Sequence, residues 1–347
     1  MKNLKPYFLF LSCLIFTCAA FAQSVDSLVK QGIKLHDEGK YADAIVKYKA
    51  ALQMDPKHAT ANYELAYSLY SNNQAQEAMP YLQKIIKSDH PMPGAYEMMG
   101  NIYDDGQQPD KAIEMYLAGI KVDPNYQRLH YNLGIAYHRQ KKFAAAEQEA
   151  IAAIKLNPAH ASSQRLYGLA CYDQHKDIQA VMGFCSFLMI EPNTERSKQA
   201  FDFVQQIINS KTAKTGEKSM NVFVNTQKTG DEQMDAAEMA ISISAAASSL
   251  DINKNKTPVE QLNGQLKSIF GIVGELSGKK KTKDFFWTYY ADYFYKLSQS
   301  EVMPAFTHYI SLASYKDESL AWFKQNDKAV DELDAWVKIN PHVVASN

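Results

Sequence analysis

Side chains able to do acid–base or covalent chemistry occur in this sequence, but not at spacings that would let them act together. The nine histidines are scattered, and none is set against a second histidine or a carboxylate in the way metal ligands recur. There is no glycine loop to cradle a phosphate, no HExxH run, no CxxC pair and no serine in a nucleophile elbow. His138 and Asp104 recur at one spacing, which surface placement explains as well as ligation does. The run GKKKTK at 278–283 brings four lysines together, and four lysines in a turn read as a solvated loop between helices sooner than as a phosphate site. No metal, cofactor or catalytic residue is expected.

What does recur is a spacing. Asp55, Asp89, Asp123, Asn157 and Glu191 stand 34 residues apart, and Pro56, Pro124, Pro158 and Pro192 follow four of them, with His90 in the second place. Counting from residue 25, five consecutive 34-residue frames run from 25 to 194. Position 8 of each frame holds Gly32, Ala66, Gly100, Gly134 and Gly168. Position 20 holds Ala44, Ala78, Ala112, Ala146 and Ala180, and position 28 holds Leu52, Ile86, Ile120, Ile154 and Leu188. Apolar residues fall at helical spacing in two blocks per frame, with turn residues such as Asn72, Asn73, Asp105 and Gly106 between them, so each frame predicts a helical hairpin. One hairpin cannot bury its apolar side alone. Consecutive hairpins must stack, and small residues at positions 8 and 20 allow close approach.

This pattern resembles the tetratricopeptide repeat family: Gly or Ala at 8, Ala at 20, large residues at 11 and 24 (Tyr103, Tyr137; Tyr48, Tyr116, Phe184) and Pro at 32. Repeat 2 departs from it, with His90 for proline and Pro91 and Pro93 at the junction. The resemblance implies an all-α fold, a right-handed superhelical solenoid whose concave wall is built from the first helices and binds an extended segment or helix of another protein. It implies no chemistry.

Positions 2, 5, 9 and 12 form one stripe of each first helix. In the family that stripe faces the concave wall. Here it carries Tyr63, Tyr67 and Tyr70 in repeat 2; Glu97, Asn101 and Asp104 in repeat 3; Arg128, Tyr131 and His138 in repeat 4; and Arg165 and Tyr172 in repeat 5. The Lys and Asn pair at positions 5 and 9 with which some relatives hold a terminal carboxylate is missing, so an internal segment of mixed polarity is the expected partner, tyrosine and arginine being frequent hot-spot residues.

The remaining segments bound the setting. Lys2 and Lys5 precede the apolar run at 7–18, and small residues Ala20 and Ala22 follow, the layout of a secretory signal peptide over residues 1–22 cut before Gln23. Export to a bacterial periplasm follows most simply, with secretion or a lipid anchor as alternatives, and the run is too short to leave a transmembrane span in the mature chain. A formal charge of −1 gives no field suited to nucleic acid. Oligomeric state is not indicated. Cys171 and Cys185 would sit at heights differing by about 10 Å on antiparallel helices rising about 1.5 Å per residue. A disulfide needs α-carbons within about 7 Å, so two buried thiols are expected.

Beyond the frames, 195–209 reads as a capping helix, with Phe201, Val204 and Ile208 on one face, and 210–219 as a linker. Residues 220–347 read as a helical C-terminal domain of no recognised family. There TPVE at 257–260 marks a helix start, Leu262, Leu266, Ile269, Phe270 and Val273 a buried stripe, and 231–250, 283–298, 301–313 and 317–338 further helices. MNVFVNT at 220–226 alternates like a strand without an evident partner. DFFWTYYADYFYK at 284–296 is aromatic on all sides, which favours a central core helix over a docking helix presenting Trp287 or Tyr290. The leading function is a non-enzymatic scaffold or adaptor of the cell envelope; the alternative is an envelope enzyme with an unrecognised helical catalytic tail.

Overall fold

A computed structural model describes residues 24–214, 220–223, 230–248 and 255–343. The predicted signal peptide lies outside these residues. The described chain is helical apart from one short strand pair, and it divides into two compact units between His90 and Pro91, the junction where the repeat signature departs.

The first unit holds two hairpins, α1 (Val25–Asp37) with α2 (Tyr41–Met54) and α3 (Ala59–Ser71) with α4 (Ala75–Ile86). The second holds α5 (Pro93–Asp105) with α6 (Pro109–Val122), α7 (Gln127–Arg139) with α8 (Phe143–Leu156), and α9 (Ala161–Tyr172) with α10 (Asp177–Ile190).

Each hairpin closes in the same way. The residue at position 15 has a positive φ: Gly39 (73°), Asn73 (60°), Gln107 (55°), Lys141 (58°) and His175 (58°). The next amide then reaches back five residues to a helix carbonyl, as Lys40 N does to Leu35 O at 2.8 Å and Lys142 N to Tyr137 O at 2.9 Å. This is the left-handed closure that satisfies the last carbonyls of a helix.

The frame boundary has its own chemistry. Asp55, Asp123 and Asn157 accept from the amide two residues on, at 3.0, 2.9 and 3.2 Å, while the intervening proline has no amide to continue the helix. In these repeats the second helix therefore ends at position 30, with position 31 as its cap, and the next hairpin begins at once.

Small residues at position 8 act more specifically than close approach requires. A Cβ on Gly32, Gly100 or Gly168 would lie 2.4, 2.2 or 2.7 Å from the ring of Tyr48, Tyr116 or Phe184, the position-24 residue of the same hairpin. Where position 24 is the slimmer Leu82, position 8 is Ala66, and both are fully buried. In repeat 4 Ala150 stands at 24, and the space over Gly134 is taken by Leu166 of the following hairpin, 2.8 Å from where a Cβ would lie.

The C-terminal part is joined to the repeats by one core. α11 (Glu195–Asn209) spans the expected capping helix, started by Thr194 and Ser197 in a reciprocal cap, with Phe201, Val204 and Ile208 buried. The predicted linker instead contains a strand, β1 (Thr212–Lys214), which pairs antiparallel with β2 (Met220–Val222) and so supplies the partner that the alternating segment at 220–226 lacked in sequence. α12 (Glu232–Ser248), α13 (Pro258–Gly278), a π-helical turn (Phe286–Ala291), α14 (Asp292–Ser298), α15 (Met303–Ile310), α16 (Lys316–Gln325) and α17 (Ala329–Ile339) follow. Thr257 and Glu260 form the expected capping box, and Leu262, Leu266, Ile269, Phe270 and Val273 are buried. The single helix expected over 317–338 is two, because Asn326 leaves helical geometry at φ −125°, ψ 64° and its side chain caps Trp322 O at 2.9 Å.

A continuous apolar core runs from Ala150 in repeat 4 to Leu333 in α17. At its centre α10 is buried from Ile178 through Leu188, on every face. Trp287 and Tyr290 are fully buried, as the core reading of the aromatic segment expects, and Tyr290 stacks on Tyr167 of α9 at 4.9 Å. Cys171 and Cys185 are free, buried thiols in the same core, and burial pushes both pKa values up.

Candidate functional site

In the first unit the expected face is carried by α3. Tyr67 is 42% exposed and stacks on the His36 ring of α1 at 4.5 Å, while Tyr63 and Tyr70 are half-buried. His36 is held in turn by Ser68, with Nδ1 and Oγ 2.8 Å apart. Tyr67 thus offers one ring face on a fixed backing.

In the second unit the stripe is largely stitched to the next hairpin. Glu97, expected on the surface, is 3% exposed: it accepts from Tyr126 Oη at 3.1 Å and pairs with Arg128 at 2.8 Å. Burial raises its pKa and Arg128 opposes that rise. Its place at position 5 of α5 lies directly under α7, so the hairpin stack covers it. Asn101 accepts from Tyr116 Oη at 2.8 Å and Asn132 Nδ2 at 3.1 Å. Asp104 pairs with Arg139, and His138 with Asp173 at 2.8 Å. Tyr172 Oη accepts from Gln206 Nε2 at 2.9 Å. These contacts bind position 12 of one hairpin to position 12 or 13 of the next.

The same register continues past the last hairpin. Ser162–Arg196, Arg165–Gln199, Tyr172–Gln206 and Asp177–Lys211 are each 34 residues apart, so α11 occupies the place of a sixth first helix.

Four polar groups remain gathered around Tyr131. Its ring meets His160 edge-on at 5.0 Å, and the side chains of Arg128 and Arg196 are 66% and 45% exposed. Arg128 is neutralised by Glu97, and Arg196 by Glu191, which accepts from its Nε at 2.9 Å. Arg165 is different. Its guanidinium is half-buried, donates to the neutral Gln199 Oε1 at 3.1 Å, and forms no ion pair among the described residues. Burial, then the nearby Arg196, lowers its pKa, and burial followed by Arg196 and Arg128 lowers that of His160. The patch is short of negative charge. Arg196 and His160 were not among the expected residues; Arg196 stands at position 2 of a sixth frame, as Arg128 does in the fourth, and extending the count beyond 194 reveals it.

Among the described residues no three His, Cys, Asp or Glu side chains are placed to hold a metal, and no helix is long and apolar enough to cross a membrane.

Comparison with known proteins agrees with the 34-residue frame. Family descriptions of the tetratricopeptide repeat match residues 35–102, 100–141 and 127–160, and those residues are tetratricopeptide repeats. Human RNA polymerase II-associated protein 3 is 31% identical over 112 residues, 32% of this chain and 17% of that protein. The wheat Hsp70-Hsp90 organizing protein is 29% identical over 100 residues, 29% of this chain and 17% of that protein. The chain thus spans about a sixth of the length of these relatives. PilF of Pseudomonas aeruginosa is 19% identical, with a TM-score of 0.47 over 53% of this chain and 88% of that one.

Proposed function

We propose that these tetratricopeptide repeats serve a non-enzymatic adaptor of the bacterial cell envelope, which binds a segment of another protein across the first helices of repeats 3 to 5. The observation that carries this reading is Arg165: a half-buried residue that donates to a neutral acceptor and forms no ion pair among the described residues, beside Arg196 and the Tyr131 ring and within the field of Glu191. A partially desolvated cation favours an added carboxylate, and a ring next to it favours an apolar neighbour. The bound segment is therefore an internal stretch pairing an acidic with an apolar side chain. The relatives' names support a protein-interaction role in general; the envelope setting rests on the signal-peptide layout of residues 1–22.

Selection from a random peptide display library against the chain beginning at residue 24 tests the binding. Enriched peptides should carry Asp or Glu next to an apolar residue. Arg165→Gln or Tyr131→Ala should weaken them at least tenfold, about 1.4 kcal/mol. Enriched peptides indifferent to both changes in folded protein would remove the site from this face. Intact mass of material exported from the expressing cell tests the setting, with a chain starting at Gln23 expected and retention of residues 1–22 counting against it.

A further inference from the structure

The C-terminal helices enclose more than a core. A cavity of about 430 Å³ opens between α10, the loop before α9, and α14, α15 and α17, with Met189, Ile190, Leu333 and Val337 among its walls. Its volume falls in the range of small-molecule sites, about 300–1,000 Å³.

The polar groups at this cavity define what it would accept. His342 lies between Tyr289 and Tyr293, ring centroids 4.3 and 3.7 Å away, with Nδ1 2.9 Å from the Tyr289 carbonyl oxygen. A carbonyl only accepts, so Nδ1 carries the proton and Nε2 is left as an acceptor with no protein partner among the described residues. Burial holds the imidazole neutral, with its pKa lowered to about 4. Ser186, also in the wall, has a buried hydroxyl without a partner among the described residues. The one formal charge in the lining is Asp334, paired outward with the exposed Lys338 at 2.5 Å. A neutral, largely apolar interior with no cation in its lining disfavours anions.

We propose that this cavity binds a neutral, largely apolar small molecule bearing one hydrogen-bond donor, held between the fifth repeat and α17 with its donor on His342. By volume such a ligand has about 15–20 non-hydrogen atoms. The cavity shares no lining residue with the arginine patch, so the C-terminal helices add a second kind of recognition to the repeats.

N-phenyl-1-naphthylamine is a fitting probe, being neutral and aromatic with one N–H, and its fluorescence rises in apolar surroundings. Titration of the chain from residue 24 should saturate at one molecule per chain. Val337→Trp, which fills the void, should weaken binding at least tenfold at unchanged helicity, and Met189→Trp fills it from the opposite wall should the first variant not fold. His342→Phe keeps the stacked ring and removes the acceptor. It should bind the amine no better than the original protein binds the N-methyl analogue. The sulfonated analogue 1-anilinonaphthalene-8-sulfonate should bind at least tenfold more weakly than the amine, and Asp334→Asn should narrow that gap. No saturable binding, equal binding of the neutral and sulfonated probes, or full binding by a folded filled variant would overturn the proposal.

Discussion

Position 15 of each frame shows how much one backbone angle decides. Four of the five residues there carry a side chain at positive φ, where Gly39 is at ease, Asn73 is tolerated and Gln107, Lys141 and His175 are strained. Lys141→Gly should therefore raise stability by about 0.5–1 kcal/mol, the relief of left-handed strain less the added chain entropy of glycine; a higher urea midpoint at unchanged slope checks it. Position 8 gives the opposite lesson. Gly168→Ala would set a methyl 2.7 Å from the Phe184 ring and should cost about 1–3 kcal/mol. Adding Phe184→Leu, which copies the Ala66 and Leu82 pair of repeat 2, should recover much of that loss, and a double-mutant cycle measures the coupling. Both columns are visible in the sequence, since glycine at 8 accompanies an aromatic at 24 in repeats 1, 3 and 5. The five-residue closure at position 15 is not, because no one side-chain chemistry is common to Asn73, Gln107, Lys141 and His175 and the angle is imposed by the helices on either side.

Among the elements, α10 and α12 are coupled by a buried acid. Glu238 of α12 accepts from the Ile178 amide at 3.1 Å, covering a free N–H in the first turn of α10, while its other oxygen is buried without a partner among the described residues. Burial raises its pKa to about 8, with the backbone amide opposing. The unfolded chain loses this proton near an ordinary carboxyl pKa of about 4.3, the folded chain only near 8. The favourable linkage is thus complete below pH 4.3, declines as pH rises, and is gone above about 8. Glu238→Gln keeps the acceptor and cannot ionise. It should leave stability near pH 4.5 almost unchanged and raise it at pH 8.5, which denaturant melts across that range would reveal; a constant difference at all pH values would refute the assignment. Sequence periodicity finds both helices but not this contact, for the residues are 60 apart and no repeat relates them. A sign of it was nevertheless present: DIQAVMGFCSFLMI is apolar on all sides, and a helix of that kind is covered on both its repeat face and its outer face. The arginine patch was half legible in the same way. Arg128, Tyr131 and Arg165 fall on the frame, whereas the burial of Glu97 and the loss of charge balance at Arg165 depend on how closely α7 and α11 lie over their predecessors.

For the second compact unit as a whole, repeats and C-terminal helices stand or fall together. Ending the chain after Ser210 would strip the cover from Val181, Phe187 and their neighbours, all fully buried, and the shortened protein should aggregate or lose its cooperative melt, as light scattering and calorimetry would register. A truncated chain that stays soluble and melts as sharply as the original would show the repeats to be self-sufficient. The ties between hairpins carry a further consequence. Asp104 meets Arg139, and His138 meets Asp173, so each junction joins a particular donor to a particular acceptor. Exchange the fourth and fifth hairpins and Asp104 would face Asp173, while Tyr172 would face Arg139. Repeats that look interchangeable by their glycines and alanines are therefore keyed in order, like words that share an alphabet but obey a syntax, and a gene copy inserted by duplication would fit the stack in shape before it fitted in charge.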